Sequence, residues 1–80
     1  MKKVLVVTGG SRGIGAATAR LAAARGYAVC INYRHNEAAA QAVVEEIAQA
    51  GGEAIAVAGD VGNEADVMRL FAEVDEKLGT

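Results

Sequence analysis

Two hydrophobic periods alternate along the chain and predict strands followed by helices. Residues 3–8 (KVLVVT) form a nearly unbroken apolar and β-branched run, which is typical of a parallel strand covered on both faces. Similar short runs occupy residues 28–33 (AVCINY) and 54–58 (AIAVA). The segments after each run carry apolar residues at helical spacing. The chain is therefore predicted to follow the order β-α-β-α-β-α.

The three helices are predicted from this spacing and from the residues at their ends. The first covers residues 14–25 and stops at Gly26, a residue type common just after helices. Asn36 is the predicted N-cap of the second helix, and Asn63 with Asp66 resembles a capping box for the third. The side chains predicted to face the core are Ile14, Thr18, Leu21 and Ala22 in the first helix, Ala40, Val43, Val44 and Ile47 in the second, and Val67, Leu70, Phe71, Val74 and Leu78 in the third.

This order of elements, with short connections, favours a parallel sheet joined by right-handed crossovers. It predicts the α/β fold class, as one mononucleotide-binding half of a doubly wound Rossmann sheet with strand order 3-2-1. In the complete fold a fourth strand pairs beside the first, so residues 3–8 otherwise keep an unpaired apolar edge. We therefore interpret residues 1–80 as the N-terminal half of a single nucleotide-binding domain of a longer protein, or as a unit whose edge a partner covers.

Composition and charge narrow the classes of function. Eighty residues allow one small domain, and no apolar stretch reaches the ~18–20 residues that span a bilayer. The net charge is −2, yet residues 1–36 hold six basic residues and no acid. Because this positive charge surrounds a glycine-rich turn, a small anion is favoured over nucleic acid, and no membrane partner is expected. The only cysteine, Cys30, lies in an apolar strand, which favours a buried thiol and fits a cytoplasmic location.

The segment TGGSRGIG (residues 8–15) joins the first strand to the first helix. Backbone N–H groups at a helix N-terminus bind anions, and glycine lets a ligand approach the backbone closely. A P-loop is excluded because no Gly-Lys-Ser/Thr follows at the required spacing. The pattern is Thr8-Gly9-x-x-x-Gly13-x-Gly15 rather than Gly-x-Gly-x-x-Gly. The turn is therefore predicted to be an anion site, and no metal site is expected.

This motif resembles that of the short-chain dehydrogenase/reductase family. The resemblance runs through the whole chain, since NYR closes the second strand and GDV closes the third. It implies that the backbone of the turn, including the Ile14 N–H, cradles the pyrophosphate of a nicotinamide dinucleotide. It also implies that Ser11 lies near the adenosine ribose and that Asp60, with the Val61 backbone, receives the adenine amino group. Ordinary turn chemistry is the alternative explanation for Ser11 and Asp60.

The end of the second strand bears on the choice of cofactor. An NAD site usually places Asp or Glu about 20 residues beyond the turn, but here Tyr33 stands at the strand end and Arg34 follows. The 2′-phosphate of NADP adds roughly −1.5 to −2 charges, and the guanidinium fork suits its oxygens. In the family that the chain resembles, Arg12 and Arg34 occupy the positions that clamp this phosphate. We expect NADP(H), with NAD(H) as the alternative.

The resemblance implies hydride transfer between the nicotinamide and a carbonyl or alcohol substrate. The family uses a serine, a tyrosine and a lysine four positions after the tyrosine, whereas Tyr27 and Tyr33 are followed at that spacing by Ile31 and Glu37. No catalytic residue is therefore assigned in this chain. It looks most like glucose 1-dehydrogenases and 3-oxoacyl-carrier-protein reductases, in a family whose members are commonly homotetramers. A non-catalytic NADP(H)-binding or redox-sensing protein, and more distantly a flavin or adenosyl-cofactor site, stay open as alternatives.

Overall fold

Three strands alternate with three helices in the structure, a computed structural model that describes residues 3–9 and 13–78. The elements are β1 (Val4–Thr8), α1 (Gly13–Ala24), β2 (Ala28–Tyr33), α2 (Glu37–Gln49), β3 (Glu53–Ala58) and α3 (Glu64–Leu78). The predicted order is confirmed, with strand boundaries that differ by no more than one residue. Within the described ranges, no helix combines the length and the apolar character needed to cross a bilayer.

All three strands run parallel in one sheet, with β2 between β1 and β3. Val4 of β1 lies opposite Ala28 of β2, which in turn lies opposite Glu53 of β3. This is the predicted order 3-2-1, read from the other edge of the sheet. The predicted Rossmann-type α/β fold is thus confirmed for the described residues.

Burial of β2 divides the core into two layers. Residues Ala28 to Asn32 are each 3% exposed or less. Because successive side chains of a strand point to opposite faces, Val29 and Ile31 pack with α1 and α2, while Cys30 packs with α3. The two helices that follow β1 and β2 therefore cover one face of the sheet, and the helix that follows β3 covers the other.

Both predicted N-caps are present, but only one of the two hydrogen bonds of the predicted capping box is formed. Asn36 accepts from the Ala39 N–H at 3.0 Å, and Asn63 accepts from the Asp66 N–H at 3.1 Å. The Asp66 carboxylate does not return to the N–H of Asn63; it accepts from the Asp60 N–H at 2.9 Å. The Asn63 N–H donates instead to the Asp60 carbonyl at 2.8 Å. The start of α3 is thereby tied to the loop that leaves β3.

The predicted core face of α1 is wrong. Ile14 is 87% exposed and Leu21 is 56% exposed, and Thr18 is exposed as well. Small side chains let α1 lie close to the sheet and to α2, so the helix turns its alanines inward. In a helix so rich in alanine several faces are apolar, and the largest side chains do not mark the buried one. The buried residues are Ala16, Ala19 and Ala22.

The predicted faces of α2 and α3 are largely confirmed. In α2 the predicted residues are buried, apart from the half-buried Val44. In α3 only a narrow face meets the sheet, and Val67, at the side of that face, is half-buried. The prediction for Phe71 is wrong, because its side chain is 55% exposed. The buried residues are Ala40, Val43 and Ile47 in α2 and Leu70, Val74 and Leu78 in α3.

The prediction that Cys30 is a buried thiol is confirmed, since its side chain is 0% exposed. Burial, together with the nearby Glu73 carboxylate, raises the pKa of the Cys30 thiol to about 11. Because the thiolate is the nucleophile, this environment makes Cys30 unreactive at neutral pH.

Alkylation by iodoacetamide should therefore depend on folding. The folded chain keeps the thiol protonated until the pH approaches about 11, whereas an ordinary thiol ionises near 9.0. At pH 8 the two pKa units alone should slow alkylation on the order of 100-fold relative to the chain in urea. The rate for the folded chain should continue to rise between pH 9 and 11, where the rate in urea levels off. Glutathione in the same buffers is the control, and equal rates at pH 8 would contradict the burial of Cys30.

The alanine face of α1 can be tested by matched substitutions. Ala19→Leu places a larger side chain at a position that is 0% exposed, and such overpacking should lower the free energy of unfolding by about 1–3 kcal/mol. Ala17→Leu makes the same change at an exposed position and should alter it by less than about 0.5 kcal/mol. Urea denaturation followed by circular dichroism measures both. Similar effects of the two substitutions would contradict the orientation of α1.

Candidate functional site

The carboxyl ends of the parallel strands meet at one edge of the sheet and border a cleft. This cleft has a volume of about 460 Å³. It contains four residues that the sequence assigned to the site: Gly9 after β1, Tyr33 and Arg34 at the end of β2, and Val61 after β3. The other lining residues are Thr8, Asn32, His35 and Asn36. Segments from all three strands therefore contribute to one concave surface.

Two glycines of the turn adopt left-handed backbone conformations. Gly9 has a φ of +66° and Gly13 a φ of +51°. A Cβ added at either position would meet no heavy atom within 4 Å. Glycine is therefore required by the backbone conformation rather than by crowding from described residues. The predicted site residues Ser11 and Arg12 lie outside the described residues.

The first turn of α1 supplies the remaining predicted residues of the glycine turn. Since α1 begins at Gly13, Ile14 and Gly15 lie in its first turn. The N–H groups of a first turn have no acceptor within the helix and form the positive end of the helix dipole. Ile14 is 87% exposed.

At the end of β2, an exposed cation follows a half-buried tyrosine. The Arg34 side chain is 60% exposed. Partial burial and the Glu37 carboxylate, with a smaller effect of Glu73, raise the pKa of the Tyr33 phenol above its ordinary value. The Tyr33 side chain is therefore a neutral phenol at neutral pH, next to the guanidinium of Arg34 in the chain.

Asp60 is held by its own turn and reaches across to Arg34. Its Oδ1 accepts from the Gly62 N–H at 2.8 Å, so the turn role considered from the sequence is observed. Its Oδ2 lies 3.5 Å from Nη2 of Arg34. This ion pair joins the loop after β3 to the loop after β2. Val61, whose side chain is 49% exposed, lines the cleft beside it.

Asn32 is the residue of this region that the sequence analysis missed. Among the described residues, it has the one polar side chain that is buried. Its Nδ2 donates to the carbonyls of Val57 and Gly59, each at 3.2 Å. Its main-chain carbonyl accepts from the Gly9 N–H at 3.0 Å. The signal that could have identified this role is an amide in an otherwise apolar strand.

Asn32 and its neighbours therefore fix the three segments that border the cleft. The Gly59 N–H donates to the Tyr33 carbonyl at 2.9 Å, which extends the pairing of β2 and β3 by one residue. From α3, Nη2 of Arg69 donates to the Ala58 carbonyl at 2.8 Å. These bonds hold the loop after β3 in place from two sides.

A second cleft, of about 390 Å³, lies between α1 and α2, near the amino ends of the strands. At its rim, the Arg20 guanidinium binds both oxygens of Glu46, with two hydrogen bonds of 3.0 Å. These bonds lower the pKa of the Glu46 carboxyl. The cleft contains none of the predicted site residues. The ion pair connects the two helices and lies away from the glycine turn.

The chemistry of the described residues favours binding of an anionic ligand at the first cleft. This cleft is lined by Arg34, whose exposed guanidinium suits anions, and by Gly9, which begins the segment that leads to the N-terminus of α1. Over residues 3–9 and 13–78, no three His, Cys, Asp or Glu side chains cluster in a way that could hold a metal ion.

Comparison with known proteins identifies the family of the chain. The sequence model described as short chain dehydrogenase matches residues 3–80. A 3-oxoacyl-[acyl-carrier-protein] reductase of Synechocystis sp. is 49% identical over 76 residues, which cover 95% of this chain and 31% of that protein. An uncharacterized oxidoreductase of Escherichia coli K12 is 48% identical over 73 residues, which cover 91% of this chain and 30% of that protein.

Among solved structures, the crystal structure of a dehydrogenase/reductase from Sinorhizobium meliloti superimposes with a TM-score of 0.91 at 47% sequence identity. The match covers 96% of this chain and 31% of that one. The chain thus spans slightly less than a third of the length of the relatives it matches. On its sequence and its fold, it belongs to the short-chain dehydrogenase family.

Proposed function

We propose that this chain binds the adenosine half of NADP(H), as the cofactor-binding portion of a short-chain dehydrogenase/reductase. The observation that carries the proposal is the meeting of three strand ends at one cleft, which is lined by Gly9 after β1, Arg34 after β2 and Val61 after β3. Asp60, next to Val61, pairs with Arg34. In open α/β sheets, ligands bind in the crevice outside the carboxyl ends of the strands.

The glycine turn is the proposed site of the pyrophosphate. The left-handed Gly9 and Gly13 bring the backbone around without side chains, and α1 starts directly behind them. The N–H groups of Ile14 and Gly15 lie in the first turn, where the helix dipole favours negative charge. Ser11 is proposed to contact the adenosine ribose, by the family resemblance.

Arg34 is the proposed reader of the 2′-phosphate, together with Arg12. Its guanidinium is 60% exposed and stands at the end of β2, where an NAD-selective site would carry an acid. Tyr33 occupies that acid's position with a phenol whose pKa lies above its ordinary value, so this side chain adds no negative charge there. NAD(H) stays the alternative cofactor.

Asp60 and Val61 are proposed to receive the adenine ring. Asp60 is fixed by the Gly62 N–H, and Val61 places an apolar side chain on the cleft. A carboxylate oxygen can accept a hydrogen bond from the adenine amino group while it keeps another donor. The apolar surface of Val61 suits the face of a base.

The nicotinamide, when bound, supplies the hydride chemistry, and this chain's own residues bind and orient the dinucleotide. The proposed reaction is reduction of a carbonyl or oxidation of an alcohol. The relative named as a 3-oxoacyl-[acyl-carrier-protein] reductase makes a ketone at position 3 of an acyl chain the leading proposal for the substrate. A homotetramer is proposed from the family resemblance, and a cytoplasmic location from the single, buried thiol.

A non-catalytic NADP(H)-binding or redox-sensing protein is the second candidate. Tyr27 and Tyr33 lack the lysine four positions on that the family uses, so they do not decide between an enzyme and a binder. Oxidation of NADPH by a carbonyl substrate, in a protein that carries this segment, would distinguish an enzyme from a binder.

Replacing Arg34 by Asp tests the proposed reading of the phosphate. Suitable probes are ADP-ribose and 2′-phospho-ADP-ribose, which contain the adenosine half and the pyrophosphate of the two cofactors. Loss of charged hydrogen bonds should weaken binding of the phosphorylated probe by roughly 10- to 100-fold in isothermal titration calorimetry. Binding of ADP-ribose should change less than about threefold, because the new carboxylate can accept from the ribose 2′-OH. Arg25→Asp is the charge-matched control, and equal losses for both probes would show that Arg34 does not read the phosphate.

Replacing Asn32 by Leu tests the architecture of the cleft rather than its selectivity. Leucine has a similar volume but leaves the Val57 and Gly59 carbonyls without their donor, which should lower the free energy of unfolding by about 1–3 kcal/mol. Binding of both probes should weaken by a similar factor, since the bordering loops lose a common support. Titrations are made where circular dichroism shows the variant folded. A selective loss of the phosphorylated probe would contradict this positioning role.

A further inference from the structure

The ion pair between Arg34 and Asp60 joins two residues to which the proposed function gives different parts of the cofactor. Nη2 of Arg34 lies 3.5 Å from Oδ2 of Asp60, with the side chains 60% and 45% exposed. The guanidinium that is proposed to bind the 2′-phosphate thus already has an anionic partner within the protein.

Asp60 is the fixed member of this pair. Its Oδ1 accepts from the Gly62 N–H at 2.8 Å, its own N–H donates to Asp66 at 2.9 Å, and its carbonyl accepts from the Asn63 N–H at 2.8 Å. Arg34 has a long, exposed side chain with several rotatable bonds. If the pair separates, Arg34 therefore moves and Asp60 stays.

Carboxylate and phosphate compete for the same donors of a guanidinium, because both accept its planar fork of N–H groups. A 2′-phosphate that binds Arg34 must take those donors from Asp60. A cofactor without that phosphate leaves the pair intact. The separation therefore opposes only the phosphorylated form.

We propose that Asp60 is a specificity-determining residue, whose carboxylate holds Arg34 until a cofactor binds and thereby reduces the preference for the phosphorylated cofactor. The inference rests on the proposed function, and it concerns a role of Asp60 distinct from its contact with adenine. Such a residue keeps an arginine-bearing site open to both nicotinamide cofactors.

The test is Asp60→Asn, with ADP-ribose and 2′-phospho-ADP-ribose titrated into the chain at low salt. Asparagine keeps a side-chain oxygen for the Gly62 N–H but removes the negative charge. The ratio of the dissociation constant for ADP-ribose to that for the phosphorylated probe should rise about threefold to fivefold, the range of an exposed ion pair. An altered contact with adenine affects both probes and cancels in this ratio.

Glu46→Gln is the matched control. It removes one carboxylate from a guanidinium pair at the second cleft and changes the net charge equally. The ratio should stay as in the wild type. An equal rise in this variant would mean that net charge alone acts, and the inference would be overturned.

A double-mutant cycle with Arg34→Gln separates displacement from simple repulsion. In the Arg34→Gln background, Asp60→Asn should leave the ratio unchanged, because no guanidinium remains to be released. A rise of the same size in both backgrounds would show that Asp60 only repels the phosphate, which overturns the inference. If Asp60→Asn does not fold, Asp60→Ser gives the same comparison, since its hydroxyl also accepts from a turn N–H.

The failures of the two proposals are distinguishable. Wild-type binding of both probes with no change in the ratio on Asp60→Asn overturns the inference and leaves the proposed function standing. Failure of the wild type to bind either probe overturns both.

Discussion

Burial of β2 between two helix layers is the constraint on which the rest of the structure depends. From Ala28 to Asn32 the strand is almost inaccessible to solvent, and its alternating side chains belong to two different cores. A parallel strand covered on both faces has no room for unpaired polar groups. The chain therefore places its charged and flexible groups beyond the strand ends, where the cleft forms.

Asn32 marks the transition from core to site. Its buried amide has partners on β3 and in the loop that follows, and its main chain holds the first glycine of the turn. Each of these bonds has a cost if broken, because it would leave a polar group without a partner. Three loops that are distant in sequence thus share one rigid support. Two of the exposed ion pairs differ accordingly: Arg20 and Glu46 connect two helices, whereas Arg34 and Asp60 face each other at the loops that border the cleft.

Much of the fold could be predicted because it follows from local patterns. The strands, the N-caps at Asn36 and Asn63 and the inward face of α2 depend on residues close in sequence. The face of α1 could not be predicted in the same way, since alanine gives little contrast between faces and the packing distance to the sheet selected Ala19 over Leu21. The carboxylate of Asp66 differed from expectation because it binds the Asp60 N–H in the loop after β3. Phe71 differed because the buried face of α3 is narrow and leaves this side chain exposed.

The sequence by itself determined the order of elements, the position of the glycine turn between β1 and α1, and the kinds of side chain available at the strand ends. These features are encoded by periodicity and by residue type within a few positions. Only the tertiary structure decided that Asn32 binds the loop after β3 and that Arg34 meets Asp60, because parallel pairing brings together residues that lie more than twenty positions apart. Such contacts depend on the register of neighbouring strands, which no local pattern specifies.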